Sequence, residues 1–128
     1  MAQLGRTKAD LRSQQIGRAF DRLQIMIPSM DLWQVRIALG RLEHELVPMT
    51  RGAHERRELR RRVIERYVNI CLERRASWRT TRRAIRRLDE VGYTILDQRM
   101  HVAILLSYYA VNIVAARDFA LARIRDAM

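Results

Sequence analysis

The sequence predicts an all-α protein: a helical bundle of about five helices in one domain, residues 1–128, ending in a long apolar C-terminal helix. Three observations carry that expectation. Apolar residues recur at three- and four-residue spacing through most of the chain. No stretch alternates apolar and polar residues over a useful strand length. Prolines and capping residues fall between the periodic segments. At 128 residues, 48% hydrophobic and 30% charged, the chain has the size and composition of a single foldable domain.

The elements follow in order. Ile16, Phe20, Leu23 and Ile27 mark a first helix that Pro28 ends. "SMD" at 29–31 offers the next start signal. Leu32, Val35, Leu39, Leu42 and Leu46 then form a narrow seam before Pro48. Leu59, Val63, Tyr67 and Ile70 lie on a third helix, from about 53 to 76. Ser77 caps a fourth, which Gly92 terminates. Thr94 with Asp97 resembles a capping box opening the last helix. Its segment 102–116, VAILLSYYAVNIVAA, is apolar nearly all round, and Arg117 with Asp118 closes it. At 15 residues that run is short for a bilayer span, which needs about 20. A helix apolar on every side must be buried on every side, so 102–116 is expected to pack partly against another subunit.

Charge is the most informative property. The chain carries 25 basic and 14 acidic side chains, a net charge of +11, and Lys8 is its only lysine. Residues 1–50 have 7 basic and 5 acidic groups, residues 51–87 have 14 and 4, and residues 88–128 have 4 and 5. The excess therefore sits in one central segment, the arginine-rich pair of helices within 51–92. An excess of this size points to a polyanionic partner, and arginine is the better phosphate clamp because its planar guanidinium binds bidentately.

The stretch SWRTTRRAIRRLDEVGY, residues 77–93, gives that charge a geometry. At roughly 100° per residue, Trp78, Ala84, Ile85, Leu88 and Val91 fall on one arc. Arg79, Arg82, Arg83, Arg86 and Arg87 fall on the opposite one. A face laid out only for solubility interleaves glutamate with arginine, because like charges four residues apart repel. Here Glu90 alone lies near the arc, at its far end. The third helix adds Arg56, Arg57, Arg60 and Arg61 near its start. Further along, Glu58, Arg62, Glu65, Arg66 and Glu73 read as a mixed, salt-bridged face. These nine arginines are the candidate nucleic-acid-binding residues.

Little suggests catalysis. His44, His54 and His101 lack metal-ligand spacing, and the five glycines are too scattered to form a phosphate-cradling loop. No cofactor, metal site or enzymatic activity is expected. Cys71, the only cysteine, lies in an apolar helical run and reads as a small core residue. The N-terminus lacks the apolar core of a signal peptide, which suggests a virion or intracellular location.

Two resemblances extend this reading. Residues 77–93 resemble the recognition-helix region of winged helix-turn-helix transcription regulators, with a cap residue, threonines, an Arg-Ala-hydrophobic run, a leucine and a closing Gly-aromatic. That resemblance implies that Ser77, Thr80, Thr81, Arg82 and Arg86 reach the major groove. The following segment, TILDQRMHVAILL, reads as helix where a wing needs a β-hairpin. The whole chain, with its 51–87 arginines and apolar 102–116 segment, resembles the coat proteins of filamentous archaeal double-stranded DNA viruses. That implies a structural protein that wraps and packages double-stranded DNA as a multimer. RNA presents the same phosphates to an arginine face and stays open as the polyanion.

Overall fold

The computed structural model describes residues 8–92, 108–109 and 113–127. Among these residues the secondary structure is helical, with no strand. Five α-helices are present: α1 (Lys8–Met26), α2 (Leu32–Leu46), α3 (Gly52–Glu73), α4 (Trp78–Glu90) and α5 (Val114–Ala127). Two short 3-10 turns, Ile27–Ser29 and Val47–Met49, separate the first three.

Those two turns use one device twice. Pro28 and Pro48 have no N–H to donate, so each helix loses a backbone bond there, tightens into a 3-10 turn and stops. The Met30 N–H donates to the Ile27 carbonyl at 3.0 Å, and the Thr50 N–H donates to the Val47 carbonyl at 3.0 Å. Met30 and Thr50 are then extended, which turns the chain into its next start. For α2 that start is a capping box. The Gln34 N–H donates to Asp31 Oδ1 at 2.8 Å, while the Asp31 N–H donates to Gln34 Oε1 at 2.9 Å. For α3 the Glu55 carboxylate accepts the Arg51 N–H and draws Arg12 to 3.9 Å.

The chain forms two compact units, Met1–Val63 and Ile64–Met128. The boundary falls inside α3, because that helix supplies buried residues to both units in turn. In the first unit α1 packs against α2. Val35, Leu39, Leu42 and Leu46 of the seam are buried, together with Ile27, Leu59 and Val63. In the second unit Ile64, Val68, Ile70, Cys71 and Leu72 from α3 are buried, as are Ala84, Ile85 and Leu88 of α4 and Ala116 and Ala120 of α5.

The turn from α3 to α4 is four residues long, Arg74 to Ser77, and ends α3 earlier than the expected residue 76. Arg75 adopts a left-handed conformation, φ 49°. The Ala76 N–H donates to the Cys71 carbonyl at 2.9 Å and the Arg75 N–H to the Leu72 carbonyl at 3.1 Å, the paired bonds of a Schellman stop. Glycine usually takes that position, because a side chain there costs about 1–2 kcal/mol. Arg75→Gly should therefore stabilise the protein by about 0.5–1 kcal/mol in urea unfolding, offset in part by loss of the Arg75 guanidinium from above the Tyr108 ring, 5.4 Å to its centroid.

No long apolar C-terminal helix is seen among the described residues. The helix present there, α5, begins at Val114 and runs 14 residues. Arg117 and Asp118, expected to close an apolar helix, lie inside α5 with both side chains exposed, where charges do not interrupt a helix. Most of 102–116, with the contact between subunits expected of it, and the Thr94–Asp97 capping box lie outside the described residues. Among the described residues no helix is long and apolar enough to cross a membrane.

Burial sets the chemistry of Cys71. It is fully inaccessible, and burial pushes its thiol up from 9.0 to about 11, opposed by a hydrogen bond with Tyr67. The raised value means the folded state holds its proton after the unfolded thiol has lost its own. Stability should thus fall as pH rises from 9 to about 11, by roughly 2–3 kcal/mol. Cys71→Ala should remove most of that alkaline dependence in denaturation curves taken across the same pH range.

Candidate nucleic-acid interface

The candidate interface is built on α4 from its buried side outward. Ser77 caps the helix: the Thr80 N–H donates to Ser77 Oγ at 3.3 Å, and the Ser77 hydroxyl donates to Thr80 Oγ1 at 2.9 Å. Ala84, Ile85 and Leu88 then anchor one arc at 1% exposure or less. Trp78, half-buried, packs against Tyr109 (ring centroids 5.6 Å apart) and edge-on to Phe119 of α5 (5.3 Å).

One polar group lies in this apolar seat. Thr81 is fully buried and its hydroxyl lies 3.1 Å from the Tyr109 hydroxyl, which in turn donates to the Ala76 carbonyl in the turn before α4. Burial raises the Tyr109 phenol above its ordinary value, and the hydrogen bond with Thr81 draws it back. Tyr109 is itself 1% exposed. This tie joins the start of α4, its first turn and the segment before α5. Thr81 therefore cannot contact DNA as the helix-turn-helix resemblance implied. It lies between Leu88 and Ile85 on the buried arc.

The opposite arc carries the charge. Arg79, Arg82, Arg83 and Arg86 are exposed, and Arg87 is half-buried at the edge of the arc. Among the described residues none of the five forms an ion pair with a carboxylate, and Glu90 pairs with none of them. The five lie at i, i+3, i+4, i+7 and i+8, so five neighbouring like-charge pairs repel. At about 0.2–0.5 kcal/mol each, they cost α4 about 1–2 kcal/mol in the free protein. A bound polyanion would remove that cost.

The arginines of α3 divide. Arg56, Arg57 and Arg60 are exposed, and Arg56 Nε donates back to the Gly52 carbonyl at 3.3 Å. Arg61, expected among the free cations, pairs with Glu58 at 3.1 Å, because the two stand one turn apart. Arg62, expected in a mixed salt-bridged face, holds its guanidinium over the Phe20 ring at 4.3 Å. Arg66 of that face is half-buried, and its Nε has no hydrogen-bond partner among the described residues. The α3 group belongs to the first unit and the α4 group to the second.

Sequence reasoning missed the Tyr109 tie and Arg75. Two tyrosines within an otherwise apolar run are a usable signal, since a buried phenol requires a partner. Among the described residues no cluster of histidine, cysteine, aspartate and glutamate could hold a metal ion. No protein-family model matches the chain, and no curated protein or solved structure matches it.

Proposed function

We propose that this protein is a structural nucleic-acid-binding protein that coats or packages double-stranded DNA as a multimer. The observation that carries the reading is the α4 arginine arc: five cations without carboxylate partners among the described residues, on a helix whose other side is firmly packed. From Arg79 to Arg87 the helix advances about 12 Å. Duplex DNA carries one charge per about 1.7 Å of axis, so an equal length holds about seven phosphates. Five arginines against about seven phosphates is close charge matching. Arg56, Arg57 and Arg60 would assist. Arg61 would contribute less, because Glu58 already holds it.

The mechanism is charge neutralisation with counterion release and little base reading. Competition between unrelated duplexes of equal length tests this. Equal affinities support coating, and a preference of about a thousandfold for one sequence contradicts it. Preference for RNA at equal length would keep the arginine arc but move the polyanion.

One observation favours a second reading, a dimeric helix-turn-helix regulator with α4 as recognition helix. The four-residue α3–α4 turn, with left-handed Arg75, has the length such motifs use. Under that reading Arg82 and Arg86 would contact bases, and the competition experiment would return the strong preference.

A further inference from the structure

Helix α2 carries a buried apolar stripe and a second, exposed stripe with Trp33 and Ile37 at its head. Val35, Leu39, Leu42 and Leu46 form the buried stripe at four-three-four spacing. A second stripe, Trp33, Ile37, Gly40 and His44, also advances by four, three and four, and Met30 and Val47 extend it by three at either end. All four positions within the helix are exposed, Trp33 by 66%. Spacing of this kind is the seam along which two helices pack at about +20°.

Gly40 supplies an independent observation. Glycine inside an exposed helix costs about 1 kcal/mol relative to alanine. A Cβ added there would meet nothing within 4 Å, so the fold of the chain does not require a glycine at this position. A small residue in the middle of an apolar stripe allows a second backbone to approach closely. A groove of about 460 Å³ along the same flank, with Trp33, Ile37 and Ala38 in its lining, leaves room for facing side chains.

The charges beside the stripe choose the occupant. Arg36 and Glu43 flank it on one side, seven residues apart, and neither has an ion-pair partner among the described residues. With two α2 helices antiparallel about a two-fold axis near Ala38 and Leu39, Ile37 meets Gly40 of the second copy and Trp33 meets His44 of the second copy. Arg36 then faces Glu43 of the second copy, and symmetry repeats the pair. A parallel arrangement would instead set Arg36 against Arg41 of the second copy, like against like. We infer that this α2 face is a self-complementary homodimer interface, with an antiparallel second copy of this chain as its occupant. The inference does not rest on DNA binding.

Analytical ultracentrifugation of the full chain without nucleic acid tests it. A concentration-dependent dimer is expected, and Ile37→Glu should abolish it while leaving the helical circular dichroism unchanged. Gly40→Gln, which favours the isolated helix and has open space in the monomer, should also weaken the dimer. Arg36→Glu and Glu43→Arg should each raise the dissociation constant about tenfold, and the double exchange should restore it. A monomer at every concentration up to about 100 μM overturns the inference. So does a dimer indifferent to these changes, and tighter association of Arg36→Glu alone would overturn the antiparallel arrangement.

Discussion

Replacing Arg82, Arg83 and Arg86 together with glutamine should lower affinity for duplex DNA by about a thousandfold near 0.1 M salt. The slope of log affinity against log salt should fall by about 2.7, since each phosphate contact contributes about 0.9. All three side chains are exposed and lack carboxylate partners among the described residues, so their removal leaves no buried group unsatisfied. It should leave stability unchanged or raise it, because all five like-charge pairs along the arc disappear. Electrophoretic or fluorescence titration across a salt series, with a melting curve of each protein, separates lost contacts from lost fold. An unchanged slope would mean that the α4 face does not meet phosphates. The same substitutions at Arg61 should do much less, because Glu58 already neutralises that side chain.

The second large effect concerns the seat of α4. Tyr109→Ala should cost about 3–5 kcal/mol, since it removes a nearly inaccessible ring that packs against Trp78 and Tyr108. Tyr109→Phe isolates the hydroxyl. It keeps the ring but leaves the buried Thr81 hydroxyl and the Ala76 carbonyl without their shared partner, for about 1–3 kcal/mol. Urea unfolding of the three proteins gives both differences. If phenylalanine is neutral, the tie does not help hold the turn before α4. If alanine costs no more than phenylalanine, the ring contacts contribute little.

What the sequence revealed, and what it hid, follows the range of each interaction. The caps at Asp31 and Ser77 were legible because a cap is made by residues three positions apart. The ends at Pro28 and Pro48 were legible because proline acts on its own turn. The two arcs of α4 were legible because they follow from helical period alone. Thr81 belonged to the inner arc by that same period, and only a resemblance to recognition helices placed it outside. The end of α3 was misplaced because its left-handed residue is an arginine, with no glycine to signal a stop. The Tyr109 tie spans 28 residues to Thr81 and 33 to Ala76, beyond what local pattern reports. The division into two units was hidden because a single helix serves both, and its apolar period passes through Val63 and Ile64 unbroken. Of the candidate interface, the outward placement of Arg79, Arg82, Arg83 and Arg86 was readable. The pairing of Arg61 with Glu58 was readable from their spacing, and the position of Arg62 over Phe20 was not.

We propose that this protein coats duplex DNA through phosphate contacts. The most direct test is binding to random-sequence duplex DNA across a salt series, with electron microscopy of the same mixtures. The expected result is affinity that falls steeply with salt, by several log units per log unit, together with regular filaments along the DNA. Absence of binding at low salt would contradict the claim and leave the arginine arc as a solvated surface.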